Sequence, residues 1–155
     1  MKSEEFLTVI SRQEKQFDAM YRKISGRFDL PDCTMWVLYF LSSSEESLSQ
    51  QDLIELMMFP KQTINSAVKG LSEKGYVELS MIPGTRNKKR VSLTDEGKRL
   101  CENTVLRMRK AELAAVESIG KEKMQQYTAL YEEFYSHMSS ALQNEGLIDA
   151  ESAQE

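Results

Sequence analysis

The sequence predicts a mainly α-helical protein with one small, two-stranded β-ribbon, and three observations lead to this fold class. Apolar residues recur at helical spacing over most of the 155 residues. One stretch, residues 77–93, instead alternates apolar and polar side chains around a Pro-Gly turn. With 41% hydrophobic residues, a chain of this length can bury one good core and has no room for a second, catalytic domain.

A short helix in the middle of the chain organises the rest. It is predicted to begin at Pro60, whose fixed φ suits a first helical position. It is predicted to end near Gly75, because glycine readily adopts the left-handed conformation that closes a helix. Its apolar residues form one buried stripe, which comprises Ile64, Val68 and Leu71. The opposite face is polar and basic and is predicted to be exposed: Lys61, Gln62, Asn65, Ser66 and Lys69.

The preceding helix is predicted to begin at Ser49, which forms a capping box with Asp52. Its apolar positions are predicted to be buried: Leu53, Ile54, Leu56 and Met57. Two short helices with so few residues between them must cross steeply. This is helix-turn-helix geometry, in which the second helix can enter a DNA major groove.

A β-hairpin is predicted after the central helix. The inner face of its first strand comprises the alternating apolar residues Val77, Leu79 and Met81. Pro83 and Gly84 turn the chain, and Val91 and Leu93 return as the partner strand. Leu48 and Ser49 are candidates for a very short additional strand. The polar loop at the tip is basic and contains Arg86, Lys88, Lys89 and Arg90.

Charge is distributed unevenly along the chain. The net charge is −4, but the segment 60–90 contains seven basic and two acidic residues, which gives it +5 and leaves −9 for the remainder. A phosphate-binding surface needs such a local positive field, and an acidic remainder disfavours binding in other orientations. The alternative interpretation is that the basic hairpin tip is only a solvated loop.

The order of these elements, with LSEKGYVE after the central helix and VSLTDEG after the hairpin, resembles the winged helix-turn-helix of the MarR family of bacterial transcription regulators. The resemblance implies a DNA-binding domain at residues 30–100 and a helical dimerisation region at 1–29 and 101–146. It also implies a homodimeric transcription regulator, a repressor rather than an activator in the favoured interpretation, that binds double-stranded DNA and responds to a small aromatic or amphipathic effector. The polar tail, residues 147–155, is expected to be disordered.

The hairpin tip departs from the family pattern. Family members commonly have Asp-x-Arg there, whereas this chain has Thr85 and Asn87. The usual ion pair inside the wing is therefore absent. Arg86 is then expected to supply the arginine that enters the minor groove.

The exposed face of the central helix and the resemblance together predict the DNA contacts. Gln62 and Asn65 are expected to reach base edges. The remaining side chains of the helix and hairpin that are expected to contact phosphate are Lys61, Ser66, Lys69, Lys88, Lys89 and Arg90. Thr63 completes the predicted DNA-binding set. A dimer would read a pseudo-palindromic operator whose half-sites lie about one helical turn apart.

Helices are predicted on both sides of the helix-turn-helix and the hairpin. Their bounds are from about Phe6 to Ser25, where Gly26 ends the helix, from Asp32 to the serines at 42–44, from Thr94 to about Ile119, and from Gly120 to just before Gly146. The second of these is apolar nearly all round and is expected at the centre of the core. The apolar stripes of the first and last helices exceed what so small a domain can bury, which predicts pairing with a second copy.

Several other residues are candidates for sites. Tyr21, Met35 and Trp36 are candidates for the wall of an effector site, with ordinary core packing as the alternative for each. Cys33, at a helix N-terminus, is a candidate oxidation sensor, with simple burial as the alternative. The single histidine, His137, supplies too few ligands for a metal site. No cofactor and no metal are predicted.

The remaining sequence features narrow the class of protein. No apolar run approaches the ~20 residues of a membrane span, and the acidic N-terminus is unlike a signal peptide, which predicts a cytoplasmic protein. Nucleotide-binding and hydrolase motifs such as GxGxxG and GxSxG are absent, so an enzyme is not expected. Two functions remain: an effector-modulated DNA-binding regulator, and a winged-helix module that binds proteins but not DNA.

Overall fold

The computed structural model describes residues 2–149, which form seven helices and one two-stranded sheet. In chain order the elements are α1 (Ser3–Phe28), α2 (Asp32–Ser43), α3 (Gln50–Met57), α4 (Lys61–Glu73), β1 (Val77–Met81), β2 (Lys89–Leu93), α5 (Asp95–Asn103), α6 (Val105–Ile119) and α7 (Lys121–Asn144). This confirms the predicted fold class, mainly α with a small β-wing. We call β1, β2 and the loop 82–88 the wing.

The chain divides between Arg109 and Lys110 into two compact units. The predicted functional division, with DNA binding at 30–100 and dimerisation at 1–29 and 101–146, stays a prediction. Of the tail predicted to be disordered, residues 150–155 lie outside the described residues. Among residues 2–149, no helix combines the length and the apolar character needed to cross a membrane.

α2 lies at the centre of the first unit, as its apolar surface predicted. It packs against α4 and also contacts α1, α3, α5 and β2. Met35, Val37 and Leu38 are completely buried. The stripe predicted for α4 is buried as well: Ile64, Val68 and Leu71. Because each buried aliphatic side chain stabilises the fold by about 1.5–3 kcal/mol, this packing holds the opposite face of α4 outward.

The ends of α3 and α4 confirm the predicted signals. Pro60 directly precedes α4, one residue before the first helical position for which it was predicted, and Gly75 adopts the left-handed conformation at φ +76° just after the helix. The Tyr76 N–H then donates to the Leu71 carbonyl over 2.9 Å, which closes the helix end. At α3, the Asp52 N–H donates to the Ser49 hydroxyl over 3.1 Å, and the Ser49 N–H donates to the Asp52 carboxylate over 2.7 Å. The capping box is therefore complete.

Two predicted helix bounds are wrong. α1 continues through Gly26 to Phe28, and Asp29 instead ends it in the left-handed conformation at φ 53°. A single glycine lowers helix stability without breaking a helix, and aspartate tolerates the left-handed region. The long helix predicted after the wing is two helices, α5 and α6, separated at Thr104. The Thr104 hydroxyl donates to the Leu100 carbonyl over 2.6 Å at this break.

The wing is an antiparallel pair in which Val77 lies opposite Leu93 and Met81 lies opposite Lys89. Val77 is buried, but Leu79 and Met81 are 38% and 52% exposed, so the predicted burial of that face is wrong beyond the first residue. The reason is that β1 leaves the core after Val77. Leu56 of α3, also predicted to be buried, is 50% exposed.

The apolar stripes of α1 and α7 remain largely exposed. On α1 the large exposed side chains include Phe6, Phe17 and Met20. On α7, no residue is fully buried, and the exposed side chains include Tyr127, Leu130, Tyr131 and Tyr135. On each of these helices, taken by itself, the exposed apolar side chains form a candidate interaction surface.

Candidate nucleic-acid interface

The outward face of α4 presents most of the predicted DNA-binding residues. Its exposed side chains include Lys61, Gln62, Thr63, Ser66 and Lys69. The Lys69 ammonium lies 3.8 Å from the Glu73 carboxylate, and both side chains are exposed. Such a surface pair contributes at most about 1 kcal/mol, so the lysine remains able to move to a phosphate.

Asn65 differs from the other polar residues of α4, because its side chain is half-buried. Its carbonyl oxygen Oδ1 accepts a hydrogen bond from Nε2 of Gln50 over 2.6 Å. Asn65, predicted to lie on the exposed face of this helix, is therefore only partly exposed. Gln50 was missed by the sequence analysis, since a contact between residues 15 positions apart leaves no periodic signal.

Residues 48–50, which we call the junction segment, hold three elements together. The Leu48 carbonyl accepts a hydrogen bond from the Val91 N–H over 3.0 Å, and Ser49 forms a β-bridge with Arg90. The short additional strand predicted for Leu48 and Ser49 is thus confirmed as this bridge. Ser49 also caps α3, and Gln50 contacts α4. The position of the wing relative to α3 and α4 is therefore fixed by hydrogen bonds.

The capping box also places a negative charge near the wing. The backbone hydrogen bond from Ser49 is the main cause that holds the pKa of Asp52 below its usual range, and the Ser49 hydroxyl adds to the effect. The positive charge of Lys88 lowers the pKa of Asp52 further. Asp52 is thus a carboxylate at neutral pH, as the cap requires.

A backbone turn organises the wing tip. The Thr85 hydroxyl donates to the Ile82 carbonyl over 2.7 Å, and the Thr85 N–H donates to the same oxygen over 3.2 Å. The Ile82 N–H in turn donates to the Lys88 carbonyl over 2.9 Å. The exposed side chains of the tip are Arg86, Asn87, Lys88, Lys89 and Arg90. Within residues 2–149, none of these basic side chains forms a salt bridge, so they are available to an anion.

Two of the candidate effector residues lie together in an aromatic cluster. The ring centroids of Tyr21 and Trp36 are 4.9 Å apart, and those of Trp36 and Tyr39 are 5.2 Å apart. The guanidinium of Arg109 donates to the Tyr39 hydroxyl over 3.2 Å and lies 5.5 Å from the centre of that ring. Met35, the third candidate, is completely buried and belongs to the core in this conformation.

The cysteines have the properties of buried thiols. Burial raises the pKa of Cys33, and the charge of Asp32 raises it further. Burial also raises the pKa of Cys101 to about 11. Both groups are protonated at neutral pH, which disfavours the oxidation-sensor interpretation of Cys33 because the thiolate is the reactive form. In the range that the structure describes, no group of three or more His, Cys, Asp or Glu side chains could hold a metal ion.

The packed pair α3 and α4 followed by a basic hairpin defines a winged helix-turn-helix protein. Residues 28–86 match the model of the MarR family. This segment runs from the end of α1 to the wing tip and contains both helices of the motif. The resemblance to the MarR family seen in the sequence is therefore confirmed over residues 28–86.

Solved structures share this fold over nearly the whole chain. NMB1585, a MarR family regulator from Neisseria meningitidis, is 22% identical with a TM-score of 0.77, and the match covers 90% of this chain and 97% of that one. MepR of S. aureus in complex with DNA is 19% identical with a TM-score of 0.60, covering 89% and 98%. NadR in complex with 4-hydroxyphenylacetate is 20% identical with a TM-score of 0.66, covering 86% and 93%. No curated protein sequence matches the chain significantly.

Proposed function

We propose that the chain is a homodimeric, sequence-specific DNA-binding transcriptional regulator, a repressor, whose affinity for DNA is changed by a small-molecule effector. The observation that carries the proposal is the exposed polar face of α4 beside a wing tip with exposed basic side chains. The structure of the MepR–DNA complex, which has a similar fold, supports DNA as the partner.

The two surfaces have different roles in this proposal. α4 enters the major groove, where Gln62 and Asn65 contact base edges and Lys61, Ser66 and Lys69 contact phosphate. Thr63 lies on the same exposed face. The wing follows the backbone of the adjacent minor groove, where Arg86 enters the groove. The phosphate contacts of the wing come from Lys88, Lys89 and Arg90.

Selection of binding sites from random duplexes by the purified protein tests this function. The expected result is a pseudo-palindrome with half-sites about one helical turn apart. Transcription in vitro from a promoter that contains the selected site then tests the sign of regulation. A protein that retains no duplex at low salt would instead be a winged-helix module for protein contacts.

The exposed apolar side chains of α1 and α7 support the homodimer. Phe6 and Phe17 are 51% and 55% exposed on α1, and Leu130 is 66% exposed on α7. A stable dimer interface buries about 1,200–2,000 Å² in total and has an apolar centre. Two-fold pairing through these helices would supply such an interface and would present two copies of α4 to the operator.

The aromatic cluster supports an aromatic effector. Tyr21 and Trp36 offer ring faces, and Arg109 offers a cation that can pair with a carboxylate. NadR, which shares the fold, has been solved in complex with 4-hydroxyphenylacetate. A ligand held here would change DNA binding only through a difference in its affinity for the DNA-binding conformation and the other conformation.

Fluorescence titration tests the effector site directly, because Trp36 is the single tryptophan of the chain. Addition of 4-hydroxyphenylacetate is expected to change the Trp36 emission and to weaken binding to the selected duplex. Phenylethylamine, which carries the opposite charge, is the control for the role of Arg109. Unchanged emission with both compounds would argue against this cluster as the site of such effectors.

A further inference from the structure

The hydrogen bond between Gln50 and Asn65 connects the first residue of α3 to a residue that is proposed to read bases. Nε2 of Gln50 donates to Oδ1 of Asn65 over 2.6 Å, and both side chains are half-buried. Within the range 2–149, the other polar residues proposed to contact DNA from α4 are exposed. Asn65 therefore reaches the α4 surface with one of the two lone pairs of Oδ1 already engaged.

The backbones of Gln50 and Asn65 are both held in place by the surrounding structure. The preceding residue, Ser49, is bridged to Arg90 of the wing and forms the capping box with Asp52. Asn65 lies in the middle of α4, between the buried residues Ile64 and Val68. Because both backbones are fixed, the amide of Gln50 meets the amide of Asn65 in one orientation rather than sampling many.

The chemistry of the asparagine amide gives this contact a consequence for base preference. An asparagine that reads adenine in the major groove uses both groups, since Oδ1 accepts from N6 and the Nδ2 group donates to N7. When Oδ1 accepts from Gln50, one of its two lone pairs is taken and the Gln50 amide lies against that oxygen, so the Nδ2 group is the half of the Asn65 amide without a hydrogen-bond partner in residues 2–149. That group can only donate, and guanine offers it two acceptors, O6 and N7.

We propose that Gln50 is a positioning residue that sets the base preference of Asn65, making it a donor to guanine instead of a two-bond partner of adenine. This inference rests on the proposed DNA-binding function and deepens it. It predicts that specificity at one position of each half-site depends on a residue that lies outside the recognition helix.

Site selection with variants of the full chain tests the role of Gln50. Gln50→Leu keeps the size of the side chain and removes its donor, so both lone pairs of Oδ1 of Asn65 become available and the amide is no longer held toward α3. The ratio of adenine to guanine at the Asn65 position is expected to rise roughly 10-fold, while the other positions keep their preferences. In an Asn65→Ala background, Gln50→Leu is expected to change no base preference.

A second substitution reverses the hydrogen bond. Gln50→Glu can only accept, so the Asn65 amide is expected to rotate, donate to the carboxylate and present Oδ1 to the DNA. Cytosine, whose N4 is a donor, is then expected to be enriched at the same position. Gln51 provides the matched control, because it is exposed on the same helix and its Nε2 donates to Glu55 over 2.9 Å. Gln51→Leu and Gln51→Glu are expected to keep the wild-type base preference.

The outcomes separate this inference from the proposed function. If the wild-type protein selects no sequence, the proposed function is overturned and the inference with it. If the wild-type protein selects a sequence that both Gln50 variants retain, only the role of Gln50 is overturned. A uniform loss of preference at every position in folded Gln50 variants, checked by circular dichroism, would show a merely structural role and would also overturn it.

Discussion

Among the glycines of the chain, Gly97 is the one whose surroundings leave no room for a Cβ atom. A Cβ atom at this position would overlap the carbonyl oxygen of Tyr76. The same junction is closed by the Thr94 hydroxyl, which donates to the Gly75 carbonyl over 2.6 Å and accepts from the Gly97 N–H over 3.0 Å. Here the end of α4 meets the start of α5 through backbone atoms, which cannot move aside as a flexible side chain can.

Gly97→Ala is therefore expected to lower the free energy of unfolding by about 3 kcal/mol, at the upper end for an overpacked site. Thermal unfolding followed by circular dichroism measures the effect. Gly26→Ala is the control, because a Cβ at this helical glycine would meet no atom within 4 Å. That variant is expected to gain about 0.5–1 kcal/mol from better helix propensity. Equal effects of the two substitutions would contradict the close approach at Tyr76.

Asp52 links the stability of α3 to pH. Its pKa is lowered in the folded protein, so its contribution is present above the unfolded pKa of about 3.9 and is lost as the pH falls through the folded value. Asp52→Asn is expected to cost about 0.5–1 kcal/mol at pH 7, the usual range for a weakened cap. The difference between the two proteins in denaturant unfolding should shrink below pH about 4. A difference that stays constant from pH 7 to pH 2 would show that the charge of Asp52 has no role.

At the level of secondary-structure elements, substitutions in the wing test whether it recognises the shape of the DNA minor groove or only the charge of the phosphates. Arg86→Ala is expected to reduce the dependence of DNA binding on salt by about one phosphate contact and to abolish a preference for A·T-rich flanks, whose narrow minor groove attracts arginine. Lys88→Ala is the matched control, since it removes one exposed charge from the same tip. It should reduce the salt dependence equally and leave the flank preference unchanged. Identical behaviour of the two variants would show that the wing contacts DNA only through its charge.

The elements also show what local sequence signals can predict. The bounds of α4 were predicted within two residues because Pro60 and Gly75 act through their own backbone preferences. The predicted end of α1 at Gly26 is wrong, since a glycine inside a long helix costs less than the rest of the helix gains. The predicted burial of Leu79 is wrong because strand alternation tells which side chains share a face but not whether another element covers it.

In the candidate interface, too, local sequence signals predict the features that depend on local sequence and miss those that depend on packing between elements. The exposed, basic residues of α4 and the wing tip were predicted from periodicity and charge, which are local. The hydrogen bond from Gln50 to Asn65 was not predicted, because it depends on how α3 packs against α4. Arg109, which contacts Tyr39 from 70 positions away, was missed for the same reason. Tertiary partners of single polar side chains require the folded structure.

At the level of the whole molecule, the proposed dimer predicts a clear effect of charge on α7. Leu130→Lys is expected to weaken self-association about 30-fold, which corresponds to roughly 2 kcal/mol, because it would place an unpaired charge in the interface. Leu56→Lys is the control, since Leu56 is a similarly exposed apolar residue on α3. Sedimentation equilibrium at micromolar concentration measures both. If the wild-type protein remained monomeric, the proposed dimer and the proposed palindromic operator would both be contradicted.

The hydrogen bond that anchors the wing to the junction segment makes detachment of the wing measurable by hydrogen exchange. The Val91 N–H donates to Leu48 and not to β1, and Val91 is buried. This proton can exchange with deuterium only when β2 separates from Leu48, even while β1 and β2 remain paired. The exchange rate of the Val91 amide therefore reports how often the wing detaches from the helices. Since a duplex that is held by α4 and the wing at once opposes detachment, this exchange should slow when the operator is bound.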